Sequence, residues 1–111
     1  MAVKPEFIQL FEKATGIPLK QVPFEEINKK ENWGYLTGKR AYSVDDNNNL
    51  IGLSLDYIPQ FLWNVLPWKN LEALDYLSIK SCTIFNISFL KDLKGLTSLD
   101  LINNNIQDIS F

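Results

Sequence analysis

The chain has 111 residues, of which 46% are hydrophobic and 22% charged, and its formal net charge at pH 7 is −2. This length and composition predict one globular domain with a modest core and leave no room for a second domain. The slightly negative charge argues against a general nucleic-acid binder, which carries a basic face, and the single cysteine, Cys82, excludes an intrachain disulfide framework.

The first predicted element is an amphipathic helix that begins near Pro5 and has its C-cap at Gly16. Pro18 prevents the helix from continuing, and a short second helix is expected around Phe24 and Ile27. The apolar face of the first helix recurs at α-helical spacing and comprises Phe7, Ile8, Leu10, Phe11 and Ala14.

Two alternating segments joined by turn-forming residues predict a β-hairpin. Residues 42–44 alternate, residues 45–49 read Asp-Asp-Asn-Asn-Asn, and residues 50–55 alternate again. Residues 59–68 then favour a longer helical connection. We expect Trp63 and Trp68 in this connection to fill the space beside the N-terminal part; the alternative is an exposed aromatic binding patch.

An internal repeat dominates the second half of the chain. Residues 71–89 return 22 positions later as residues 93–111, with leucine, isoleucine, serine and phenylalanine conserved at matching places. The pattern Leu-x-x-Leu-x-Leu-x-x-Asn/Cys occurs at 96–104 and 74–82 and, with Ile58 at its last position, at 50–58. A fixed period of about 20–29 residues is typical of repeat proteins, in which each unit buries its apolar face against its neighbours.

Residues 50–111 resemble leucine-rich repeats of the short bacterial class found in internalins and in other signalling and surface proteins. The resemblance implies an α/β leucine-rich repeat solenoid with a curved parallel sheet and about three repeats, near 50–70, 71–92 and 93–111. Residues 1–49 are not repeats, and we interpret them as a helix-plus-strand N-terminal cap. Such a cap covers the core edge of the first repeat, so its deletion should cause aggregation.

Strand alternation predicts which side chains leave the core. Leu99 and Leu101 lie two positions apart and point inward, so the residues between and beside them point outward. Equivalent positions in neighbouring repeats stack, which predicts one contiguous surface on the concave sheet face. Its expected members are Tyr76, Ser78, Lys80, Ser98, Asp100 and Ile102, extended by Ser54 and Asp56.

The expected function is non-catalytic protein recognition through this concave surface, as the N-terminal part of a longer repeat protein. The alternative is a structural cap or spacer that carries downstream repeats or an effector domain. Large, mixed side chains on the strands favour recognition. The chain has no histidine, which removes the commonest general base and metal ligand, so we expect neither an enzyme nor a cofactor.

No nucleic acid or membrane is expected as a partner. The beginning of the chain lacks the apolar segment of a secretory signal, and no stretch is apolar enough to cross a bilayer. Both observations favour a cytoplasmic protein, although a mature secreted fragment would look the same, and the resemblance to internalin-like repeats implies a bacterial one. No polar cap follows Ile106 and Ile109, so the C-terminal edge is expected to continue into further repeats or to self-associate.

Overall fold

The computed structural model describes residues 3–27, 40–56, 58, 66–80 and 88–101. Within these ranges the protein is of mixed α/β class, with two α-helices and one five-stranded, mostly parallel sheet. The helices are α1 (Glu6–Thr15) and α2 (Phe24–Ile27). The strands follow one another across the sheet in chain order: β1 (Lys20–Gln21), β2 (Arg40–Val44), β3 (Leu50–Leu55), β4 (Tyr76–Ser78) and β5 (Ser98–Asp100).

The strand register matches the periodicity of the sequence. β2 and β3 form an antiparallel hairpin, whereas β1 pairs with β2, β3 with β4 and β4 with β5 in parallel. Leu53 lies beside Leu77, which lies beside Leu99, so the leucines of the repeated pattern form one row across the sheet. These pairings have the offsets expected from the repeats, and the strand order is compatible with repeat stacking.

Helix α1 has the limits predicted from its proline and glycine. It begins after Pro5 and ends at Gly16, whose φ of 72° lies in the left-handed region and whose N–H donates to the Glu12 carbonyl. Phe7, Ile8 and Phe11 are buried as expected. Ala14 is exposed, so its placement on the buried face is wrong, and so is that of Leu10. Leu10 is 40% exposed, because one residue turns the side chain by about 100° around the helix from Phe11.

The carboxylate of Glu12 ties α1 to the segment that leads into β1. It accepts hydrogen bonds from the Leu19 N–H at 2.7 Å and from Lys4 Nζ at 2.8 Å. Desolvation acts to raise the pKa of Glu12, but these hydrogen bonds outweigh it and hold the pKa below its ordinary value. Strand β1 itself is only two residues long and was not predicted from the sequence.

The turn between β2 and β3 is stabilised by the Asp and Asn side chains from which it was predicted. The Asp45 carboxylate accepts hydrogen bonds from the backbone N–H groups of Asn47 and Asn49, each at 2.9 Å. Asn48 adopts a φ of 65°, which asparagine tolerates better than most residues. Hydrogen bonding to Asn49 and Asn47 outweighs the opposing effect of desolvation and lowers the pKa of Asp45. The predicted hairpin is therefore confirmed.

The main core lies on the side of the sheet that carries the row Leu53, Leu77 and Leu99, which we call the leucine face. It is closed by α1 and by two 3-10 helices, Trp68–Asn70 and Ser88–Asp92. Trp68 stacks on Phe89 with ring centroids 4.3 Å apart and meets the edge of Phe7 at 4.9 Å. This confirms that Trp68 fills the space beside the N-terminal helix. Trp63 and most of the predicted helical connection, 59–65, lie outside the described residues.

Gly95 lies where any side chain would clash with the backbone of a neighbouring turn. A Cβ atom there would lie 2.7 Å from the carbonyl oxygen of Glu72, in the adjoining turn. We expect Gly95→Ala to lower the free energy of unfolding by about 1–3 kcal/mol, the usual cost of overpacking. Chemical denaturation would measure it, and the neighbouring Lys94→Ala, at an exposed position, should change stability by no more than about 0.5 kcal/mol. Equal stability of Gly95→Ala and the parent would contradict the prediction.

Candidate functional site

The face of the sheet opposite the leucine row carries small and polar residues, which we call the polar face. One row runs from Ala41 through Ser54 and Ser78 to Asp100. The neighbouring row contains Ser43, Gly52, Tyr76 and Ser98. The register therefore places Tyr76 and Ser98 side by side, as the repeat offset predicts.

The polar face is not the exposed surface that the sequence suggested. Tyr76 and Lys80 are each only 2% exposed, and Ser98 is half-buried. Ile102 lies outside the described residues. The expectation of outward, solvent-exposed side chains is thus wrong for six residues: Ser54, Asp56, Tyr76, Ser78, Lys80 and Asp100.

Helix α2 covers part of this face, which explains the burial of Tyr76. Ile27 of α2 packs with Ala41 and Tyr76 in a second apolar cluster, to which Phe24 also contributes. Gly52 permits this approach, because a Cβ atom there would lie 2.9 Å from Ile27 Cγ2. A residue without a side chain in the middle of a strand is the sequence signal that another element comes close.

A buried ionic cluster follows the ends of β3 and β4. Lys80 Nζ lies 3.7 Å from Asp56 Oδ2 and 3.9 Å from Asp100 Oδ2. Both distances exceed those of a normal hydrogen bond, so the attraction is ionic rather than directional. Ser78 Oγ donates to Asp56 Oδ1 at 3.2 Å. The three charged side chains are nearly inaccessible to solvent.

The Tyr76 hydroxyl shares this environment. Desolvation raises its pKa, and a hydrogen bond with Ser78 acts against that rise. The negative charges of Asp100 and Asp56 raise the pKa further, because they disfavour a phenolate beside them. Tyr76 is therefore kept neutral, and the arrangement holds the ends of three strands together rather than presenting a reactive group.

The described part of the chain contains neither a candidate metal site nor a candidate membrane span. Among them, no three histidine, cysteine, aspartate or glutamate side chains are grouped closely enough to hold a metal ion. None of the helices in the described ranges is long and apolar enough to cross a membrane. Cys82 lies outside these ranges.

The outer edge of β5 is the place where the apolar row reaches solvent, and we call it the β5 edge. Leu53 and Leu77 are fully buried, but Leu99 in the same row is 40% exposed. The register confirms that Leu99 lies on the inward side of the sheet with Leu53 and Leu77, and Leu99 is exposed because no described strand packs beyond it. Leu101 is half-buried and contacts the main core.

The backbone at the β5 edge is directed outward. The Ser98 N–H donates to the Asp75 carbonyl, and the Asp100 carbonyl accepts from the Ile79 N–H, so both residues turn toward β4. Backbone groups alternate between the two sides of a strand. The N–H and carbonyl of Leu99 therefore point away from β4, toward the outer side of β5.

Comparisons of the chain with protein-family models, with curated proteins and with solved structures gave no match.

Proposed function

We propose that this chain is a non-catalytic protein-recognition module of the leucine-rich repeat type, and that its recognition surface is the β5 edge. The observation that carries the proposal is the 40% exposure of Leu99 in a row whose other leucines are fully buried. An unpaired strand edge beside an exposed apolar side chain is a template for a further strand.

The repeat assignment is supported by the spacing of the paired strands. Gly52, Tyr76 and Ser98 lie side by side although 24 and 22 residues separate them in the chain. Parallel strands joined by segments of this length, each contributing an inward leucine, fit a solenoid in which repeats stack. The buried face of α1 fits the role of a cap at the opposite end.

The polar face is a weaker candidate for recognition than the β5 edge. A partner that contacts Tyr76 would have to displace α2, together with the apolar contacts of Ile27. It would also have to approach Lys80, whose charge is already neutralised by two carboxylates. We therefore assign a structural role to the six buried residues of the polar face, whereas Ser98 borders the β5 edge.

The second candidate is a structural cap or spacer that carries downstream repeats. The same exposure of Leu99 favours it, because a following strand of the same chain would complete the leucine row. The two candidates differ in what covers Leu99: another protein in the first case, and the natural protein's own chain in the second.

Site-specific photo-crosslinking of the natural full-length protein in its own cells separates these candidates. A photoreactive residue in place of Leu99 should give intermolecular products, whereas the same residue in place of Leu10, equally exposed on α1, should not. Mass spectrometry would identify the products. Crosslinks from position 99 only within the same chain would support the spacer, and identical patterns from both positions would contradict recognition through the β5 edge.

A further inference from the structure

We infer that the partner of the β5 edge is a second copy of this chain, paired antiparallel about a two-fold axis at Leu99. This inference rests on the proposed function, because it names the partner of the same surface. The result would be one sheet that continues from the first copy into the second. Two-fold dimers of this kind are the commonest soluble homo-oligomers.

The outward backbone groups of Leu99 supply the hydrogen bonds of such a pair. When the two Leu99 residues lie opposite each other, each N–H can donate to the carbonyl of the other. Directly opposite residues of an antiparallel pair lie on the same face of the sheet. The two exposed leucine side chains therefore cover each other on the leucine face.

The same register places complementary polar residues together. With Leu99 on the axis, Ser98 of one copy lies opposite Asp100 of the other, and this contact occurs twice. The Ser98 hydroxyl can donate a hydrogen bond to the Asp100 carboxylate. The two Asp100 residues do not face each other, so the register avoids the directly opposed like charges that destabilise strand pairs.

The other end of the sheet disfavours the competing head-to-tail arrangement. That arrangement would pair β5 of one copy with β1 of the next and would extend without closing. β1 has only two residues, Lys20 and Gln21, and both are exposed. Short strands and edge lysines are the features by which proteins prevent such pairing. Pairing of β5 with β5 is therefore the arrangement that gives a closed dimer.

Sedimentation equilibrium of the chain, with and without Leu99→Asp, tests the inference. The contact is small, so we expect weak association that produces dimers by about 1 mM chain, a free energy near −4 kcal/mol. Leu99→Asp should give monomers at every concentration, because the two-fold axis then brings two carboxylates together. Leu10→Asp is the matched control, since Leu10 is also 40% exposed, and it should dimerise like the parent.

Disulfide trapping tests the antiparallel register. In a Cys82→Ser background, a mixture of the Ser98→Cys and Asp100→Cys chains should form a mixed disulfide at least tenfold faster than either chain alone. Circular dichroism of each variant establishes first that it is folded. Faster trapping of Ser98→Cys with itself would indicate parallel pairing and overturn the inference.

The outcomes also separate this inference from the proposed function. A parent chain that stays monomeric at about 1 mM, or a dimer that survives Leu99→Asp, overturns pairing through Leu99. If the monomeric chain still crosslinks from position 99 to a different protein in cells, the proposed function stands with another partner. If neither association nor crosslinking occurs, both fail.

Discussion

Replacing Lys80 with methionine is expected to lower the free energy of unfolding by about 3–5 kcal/mol at pH 7. Methionine is similar to lysine in length, so the change removes the charge and leaves most of the packing. Asp56 and Asp100, 3.7 Å and 3.9 Å from the ammonium group, would then lose the cation that both of them face. A buried carboxylate without its counter-charge is strongly destabilising, whereas an intact buried ion pair contributes little net stability.

Urea denaturation followed by tryptophan fluorescence would measure this effect. Lys91→Met is the matched control, because Lys91 is exposed on the 3-10 helix Ser88–Asp92 and should change stability by no more than about 0.5 kcal/mol. Adding Asp56→Asn and Asp100→Asn to Lys80→Met should recover part of the loss, since the three charges of this cluster are then removed together. A loss below about 1 kcal/mol for Lys80→Met would show that water reaches the cluster.

Phe11→Ala is expected to destabilise the protein by about 3–5 kcal/mol, the usual cost of removing a fully buried phenylalanine. The Phe11 side chain has no exposed surface, and it belongs to the main core together with Leu53 and Leu77. The loss should therefore appear in the cooperative unfolding of the whole sheet rather than in separate melting of α1.

Leu10→Ala on the same helix is the control for Phe11→Ala. Leu10 is 40% exposed, so its truncation should cost no more than about 0.5 kcal/mol. Thermal unfolding followed by both far-ultraviolet and near-ultraviolet circular dichroism would compare the variants. Two separate transitions, or equal effects of the two substitutions, would show that residues of α1 are not part of the main cooperative unit.

Strand positions and register were predictable because they depend on local pattern. The period of the leucines determines which residues of β3, β4 and β5 share a row, and a register shift of one residue would move every side chain to the opposite face. The limits of α1 and the Asp45 turn were predictable for a similar reason. Pro5, Gly16 and Asp45 act on backbone groups within a few residues of themselves.

The solvent exposure of the strand side chains was not predictable from the sequence, because it depends on which distant parts of the chain cover them. Alternation shows that Tyr76 and Lys80 leave the leucine face, but it does not show what lies over them. Ile27 of α2 comes from a segment without repeats, about 50 positions before Tyr76, and only Gly52 hinted at its approach. For Leu99 the pattern gives the correct side of the sheet, but it buries a leucine only where a next strand covers that leucine.

The agreement between chain order and sheet order bears on how the protein is made. In the described part of the chain, every strand after the first pairs with the strand that precedes it in the sequence. The ribosome therefore releases each of these strands after the neighbour with which it pairs. The β2–β3 hairpin can close before β4 has left the exit tunnel, and it then offers a ready template to β4 and later to β5. Each newly added strand forms the edge of the sheet until the next strand has been synthesised and pairs with it. Among the described strands, β5 with Leu99 is the one added last to this edge.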